Sequence, residues 1–283
     1  MNGKVIVKLD QGLGNQLFQL AYAIWAGRGD IGRLVIDASW YDCIPADHTH
    51  RSLSVIGIIQ SMSIPVLSLE EIHQFRPMTI DTTSSLWDVY CEQIRLIADE
   101  HPVHLIGRGF NYAYIKDAKA ILQACMHQAP IDISREDAAF FNENSVVGIH
   151  IRKGDYLNSN IRAWIGIVDM ADQIREAERV IATHDFNQPV KIAAFSNGPV
   201  DHPFDKLFLG SEAGGTYCEL ETLKLMCMCD WLVTANSTYS IFAAYLGQKM
   251  RGASLPMSYA NVRHDLSTSL IGPRMVLYDN RLV

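Results

Sequence analysis

Long apolar runs, basic tracts, dense cysteine and low-complexity segments are all missing from this chain of 283 residues, and each absence excludes a class of protein. No apolar stretch approaches the ~20 residues that span a bilayer, so no transmembrane segment is expected. The opening segment has no basic region leading into a long apolar core, so no secretory signal is expected either. Six cysteines, at 43, 91, 125, 218, 227 and 229, are scattered through a chain too large to need disulfide staples. They fit a reducing compartment. The net charge of −7 excludes a protein that covers nucleic acid by bulk charge, and the cations form no long run. An anionic ligand would have to be held by a local cluster. What is present is 48% hydrophobic and 19% charged residues, the composition of a globular chain with a substantial core. A cytoplasmic protein is expected, with peripheral membrane association left open.

The most informative stretch is His150-Ile151-Arg152-Lys153-Gly154-Asp155-Tyr156. It follows Ser145-Val146-Val147-Gly148-Ile149, which reads as the start of a buried strand. Two cations, an imidazole and a carboxylate just past such a strand are costly unless something binds there. Ligands of open α/β sheets gather beyond the carboxyl ends of strands. The Arg152 guanidinium is a fork suited to phosphate oxygens, and Lys153 adds a point charge. A phosphorylated ligand is the first expectation; a surface ion pair with Asp155 is the plainer one, and it would contribute only ~0–1 kcal/mol.

The remaining pattern alternates strands and helices. Residues 4–9 alternate as a strand, Gly12 and Gly14 punctuate, and Asn15 can cap a helix over 16–26. A strand at 34–36 completes a βαβ-like opening. Helices are expected over 87–98 and 118–127, the latter closed by Pro130. The second half repeats the rhythm, with strands at 146–151, 190–195 and 231–234 and helices over 170–183 and 219–229. Ala235-Asn236-Ser237-Thr238-Tyr239-Ser240 opens a last helix ended by Gly247, and 275–278 is a final strand. This order predicts an α/β protein with parallel sheets covered by helices. Two Rossmann-like domains facing across a cleft are expected, residues 1–140 and 141–283, joined in the polar segment between Pro130 and Glu143. Cys227 and Cys229, with Cys218 upstream, raise a metal site, but no His/Cys cluster follows at zinc-like spacing. Core packing in a buried helix is the expectation there, and no metal site is assigned.

Gly12-Leu13-Gly14-Asn15-Gln16 is no dinucleotide fingerprint, because Leu17 stands at the third glycine position; a Rossmann oxidoreductase is disfavoured accordingly. The segment is either a capped strand-to-helix turn or a turn whose Asn15 and Gln16 face a ligand. Hydroxyls at the helix start over Ser237, Thr238 and Ser240 make an anion seat, since free amides and the helix dipole favour negative charge. Simple capping is the alternative. Ser196-Asn197, ending a strand, is a turn or a ligand contact.

Together, Gly12-Leu-Gly-Asn-Gln16, His150-x-Arg152-Lys-x-Asp155-Tyr156, Phe195-Ser196-Asn197 and Asn236-Ser-Thr-Tyr-Ser240, with Ala243-Ala244-Tyr245-Leu246 after them, resemble the bacterial and animal α-1,2-fucosyltransferases over nearly the whole chain. The H-x-R-[RK]-x-D segment is common to α-1,6- and protein O-fucosyltransferases; the glycine turn and the Ser-Thr-Tyr-Ser helix point to the α-1,2 branch. The resemblance implies a GT-B fold and an inverting transfer of L-fucose from GDP-β-L-fucose to O2 of a galactose-containing acceptor glycan, with no metal cofactor. By residue match, Arg152 would hold the diphosphate and stabilise the departing GDP. His150 would lie near the guanosine, with Lys153, Ser196 and Asn197 also on the donor. Ser237, Thr238 and Ser240 would contact the diphosphate, and Asn15, with Gly12, Gly14 and Gln16, would line the reaction cleft. No D-x-D occurs, which fits a transferase that neutralises pyrophosphate without a metal.

Three positions depart from the family pattern. Lys153 stands where a second arginine is usual, keeping the charge but losing the fork. Asn197 stands where aspartate is frequent, and Gln11 where a glycine is usual. The acceptor proton needs a base. Asp155 is a candidate for that role or for orienting Arg152, and Asp10 is a rival. Alternatives to α-1,2 transfer are a fucosyltransferase of another linkage and a catalytically weak nucleotide- or glycan-binding protein. Trp40, Tyr41, Trp87 and Tyr112 are candidate sugar-stacking rings or core.

Overall fold

A computed structural model describes residues 3–44, 51–82, 87–107, 112–154, 168–254, 276–278 and 281–282. Asp155 and Tyr156 lie outside them, as do the side chains of Trp87 and Tyr112. The chain divides into two units, Met1–Pro130 and Ile131–Val283. The division falls at the start of the polar segment expected to join the domains, and within that segment Arg135–Glu143 is a helix, α6, capped by Ser134, whose hydroxyl accepts from Asp137 N.

The first unit is built on five parallel strands: β1 (Val5–Lys8), β2 (Leu34–Asp37), β3 (Val66–Leu67), β4 (Met78–Asp81) and β5 (Val103–Ile106). Their spatial order is β3-β2-β1-β5-β4. Helix α1 (Leu13–Ala26) is nearly continuous in apolar residues and buries every residue but Asn15. Its N-cap is Gly12, with no side-chain cap, rather than Asn15. The Asn15 amide instead donates to Gln11 Oε1 at 2.6 Å. Gln11 itself takes φ +61°, the left-handed conformation a glycine would adopt freely. Its carbonyl is held there by Gln16 Nε2 at 2.8 Å and by the Tyr41 hydroxyl at 3.0 Å. The turn therefore keeps a glycine's shape without the glycine.

In the second unit, β6 (Ser145–Ile151), β7 (Val190–Ser196), β8 (Lys206–Leu209), β9 (Trp231–Val233) and β10 (Gly252–Ser254) run parallel. Two antiparallel strands, β11 (Val276–Tyr278) and β12 (Arg281–Leu282), extend the sheet. The order is β12-β11-β10-β9-β6-β7-β8. Strand β6 is buried along its whole length because it is central, which explains its unbroken apolar run. Helix α7 (Met170–Thr183) lays Ala177 and Val180 against Val147, Ile149, Ala194 and Trp231. Helices α8 (Glu219–Cys227) and α9 (Thr238–Leu246) complete the unit. The strand order reverses between β6 and β9. That reversal is the switch point where open α/β sheets bind ligands.

The cysteines sort differently from a single buried helix. Cys229 is fully buried and burial pushes its thiol pKa up, as expected of a packing residue. Cys218 is exposed and caps α8, its sulfur accepting from Glu221 N. Among the described residues no helix is long and apolar enough to cross a membrane.

Candidate functional site

The end of β6 brings His150 to the switch point. Its ring is 3% exposed and stands edge-on to the Tyr239 ring, centroids 5.6 Å apart. Burial, and then the neighbouring Arg152 charge, lower its pKa to about 3. His150 is therefore neutral near pH 7, and its Nδ1 has no hydrogen-bond partner among the described residues. A buried glutamine sits beneath. Gln173 of α7 donates through Nε2 to His150 O at 2.7 Å and to Thr234 O at 3.3 Å, clipping together the ends of β6 and β9. The same device recurs in the first unit. There Gln19 Nε2 donates to Asp10 Oδ1 at 3.0 Å and to Gly107 O at 3.1 Å, joining the ends of β1 and β5.

His150 and Arg152 open onto a pocket of about 390 Å³, open solvent at its mouth included. Phe195, Ser196 and Asn197 from the end of β7 wall one side. Gly210, Ser211, Glu212 and Tyr217 after β8, with Glu219, Thr222 and Tyr239, complete the lining. Both tyrosines have committed their hydroxyls elsewhere. Tyr239 donates to Glu219 O at 2.5 Å, and Tyr217 donates to Asp137 Oδ2 at 3.0 Å. Burial and the Asp137 carboxylate push the Tyr217 hydroxyl up to about 12. Burial raises Asp137 in turn, but hydrogen bonds from Ser134, Lys206 and Tyr217 outweigh it and hold the carboxyl below its usual range. The tyrosines thus offer the pocket rings rather than protons.

The predicted residues separate into two groups. His150, Arg152, Ser196 and Asn197 line one pocket. Lys153 does not: its ammonium donates to Pro199 O, folded back along the β7 loop. A lysine has no fork to tie it to phosphate, and a carbonyl close by accepts its hydrogen bond instead. The Ser196 hydroxyl closes a local turn, donating to Gly198 O at 2.7 Å and accepting from Gly198 N at 3.2 Å. At the start of α9, Ser237 makes no side-chain cap, and Ser240 is buried with its hydroxyl near Ala235 O and Ser237 O. From that turn the pocket takes Tyr239, not Ser237, Thr238 or Ser240.

Gly12, Gly14, Asn15 and Gln16 belong to the first unit. Gln16 is fully buried and spends its amide on backbone: Nε2 reaches Gln11 O and Ser52 O, and Oε1 accepts from Val55 N at 3.0 Å. That leaves Asn15 as the only outward group of the turn's helix. Glu212, Tyr217, Glu219, Thr222 and Tyr239 were not singled out by sequence. Only Tyr239 sat inside a motif, where its neighbours' hydroxyls drew the eye. Among the described residues no three His, Cys, Asp or Glu side chains stand together as a metal site.

Residues 135–254, which hold the entire pocket lining, match the model for glycosyl transferase family 11. Among solved structures, the fucosyltransferase NodZ from Bradyrhizobium is similar, with a TM-score of 0.51 at 15% identity over 90% of this chain and 96% of that one. NodZ α-1,6-fucosyltransferase co-crystallised with GDP gives a TM-score of 0.49 at 16% identity, covering 90% and 95%. A mutant of Arabidopsis thaliana FUT1 in complex with GDP gives 0.45 at 14%, covering 94% and 73%. Two α/β units on parallel sheets, matched to Bradyrhizobium NodZ along 90% of the chain, make this a GT-B fold. No curated protein sequence matches the chain.

Proposed function

We propose that this chain is an inverting fucosyltransferase, moving L-fucose from GDP-β-L-fucose to O2 of a galactoside without a metal. The observation that carries the proposal is the pairing of neutral His150 with Arg152 in a pocket at the second unit's switch point, inside the segment matched by family 11. Such a switch-point pocket accommodates a nucleotide, and the rings of Tyr217 and Tyr239, which both line it, suit a planar base. Arg152 meets the diphosphate and stabilises the charge that develops as GDP leaves. The start of α9, which reaches the pocket at Tyr239, adds its helix dipole.

Inversion takes one displacement. The acceptor O2 bonds to the fucose anomeric carbon as the bond to the diphosphate oxygen breaks, and the acceptor proton passes to a carboxylate. Asp155, three residues past Arg152, is the candidate base. The acceptor falls to the first unit, where Asn15 and the Gly12–Gly14 turn carry the α-1,2 resemblance.

The test is transfer from GDP-fucose to a panel of β-galactosides, with and without EDTA, and with Arg152→Ala as control. An α-1,2-linked product that survives EDTA and is lost by at least about a hundredfold in kcat in the folded variant is expected, the scale of removing a group that stabilises developing charge. Normal turnover by folded Arg152→Ala overturns the diphosphate assignment. Another linkage moves the chain to a different fucosyltransferase branch, and GDP binding without product to a binding protein.

A further inference from the structure

The hydrogen bonds of Asn197 carry the donor reading, on which this inference rests, one step further. Asn197 Oδ1 accepts from the backbone N–H of Lys153 at 2.7 Å. A backbone N–H can be met only by an acceptor, so this bond fixes which end of the amide faces which way. The two loops are laced too tightly for the amide to turn over. Lys153 also donates its ammonium to Pro199 O, and a Cβ on Gly198 would lie 2.9 Å from Lys153 Cβ. Gly154 adopts φ +52°, and a Cβ there would lie 2.6 Å from Asn197 Nδ2. Position 154 therefore needs glycine both for its backbone and for its space.

What Asn197 retains is Nδ2. This donor is buried and without a hydrogen-bond partner among the described residues, in a side chain that lines the pocket. A buried donor left unmatched is costly and asks for an acceptor. Glu212 and Glu219 also line this pocket.

We propose that Asn197 reads the nucleobase as a hydrogen-bond donor, from Nδ2 to the exocyclic oxygen of a 6-oxopurine. An aspartate at this position would offer only acceptors and would have to meet the base through its N–H groups. In this chain the polarity of the contact is reversed.

The test is calorimetric binding of GDP and 6-thio-GDP to the full-length wild type, Asn197→Ala and Asn197→Asp. Sulfur replaces the exocyclic oxygen as a poor acceptor while the ring N–H is kept. The wild type prefers GDP by about tenfold, the worth of one neutral hydrogen bond. Asn197→Ala narrows that preference to about twofold or less, since the discriminating donor is gone. Asn197→Asp, whose carboxylate still accepts from Lys153 N and so keeps the loops together, narrows it likewise, since a carboxylate cannot donate to the exocyclic oxygen. A full preference for GDP retained by either variant overturns the contact and leaves the donor reading standing. A wild type that does not bind GDP overturns the donor reading and this contact with it.

Discussion

Neutral His150 has a cost that grows as the pH falls. Its folded pKa of about 3 lies far below the ordinary value of 6.5, because the ring is buried and Arg152 stands beside it. The unfolded chain therefore takes up a proton below about pH 6.5 that the folded chain refuses. By linkage, stability is fully present above that pH and is lost toward the folded pKa. Between pH 7 and pH 5 the loss from this one group comes to about 2 kcal/mol. His150→Phe keeps a ring against Tyr239 and removes the titration. Urea unfolding of both proteins at pH 7 and pH 5, followed by tryptophan fluorescence, isolates the difference. The wild type should lose about 2 kcal/mol more than the variant over that interval. Equal losses would show that His150 is protonated as easily in the folded protein as in the unfolded chain. The assignment of the phosphate-facing charge to Arg152 alone would then fail too, because His150 could supply a cation.

Two further perturbations test the scaffold beneath the pocket. Gln173→Leu removes the amide that clips β6 to β9 and strands two buried carbonyls; a loss of about 1–3 kcal/mol in urea unfolding is expected, with weaker GDP binding by calorimetry, and an unchanged midpoint would show that the clip is idle. Gly148→Ala puts a Cβ 2.6 Å from Cys229 Sγ, 2.9 Å from Leu232 Cδ1 and 3.1 Å from Phe195 Cε2, an overpacking of the central strand worth about 1–3 kcal/mol. Adding Cys229→Ala should recover part of that loss, and strict additivity of the two changes would place the strain elsewhere.

How far the sequence could be read depended on whether each signal was local. The end of β6 was legible because a cationic, imidazole-bearing stretch interrupts an apolar run, and a central parallel strand permits no such interruption without a use for it. Helix α7 was legible to the residue, since Asp169 caps it and its apolar face repeats at helical spacing. Strands β3, β5, β8 and β10 are two to four residues long, too short for a period of two to stand out. The fate of Lys153 was hidden for another reason: the carbonyl that accepts its hydrogen bond lies 46 residues downstream. Glu212 and Tyr217 come from an irregular stretch, and Tyr217 is oriented by an aspartate 80 residues upstream.

The glutamines show most clearly what local reading misses. Gln19 and Gln173 each stand on the helix that follows the first strand of their unit, and each is buried. At a switch point two neighbouring strands send their chains to opposite faces of the sheet, which leaves carbonyls at both ends without a ladder partner. A buried carbonyl needs a donor, and an amide nitrogen with two hydrogens can serve two at once. Gln19 Nε2 does so for Gly107 O and the Asp10 carboxylate, and Gln173 Nε2 for His150 O and Thr234 O. A leucine would fill the same space and satisfy neither carbonyl. The amide is therefore what lets each sheet end in a fixed, open edge. His150 keeps its place on that edge, one residue short of the end of β6, because its own carbonyl is one of the two that Gln173 holds.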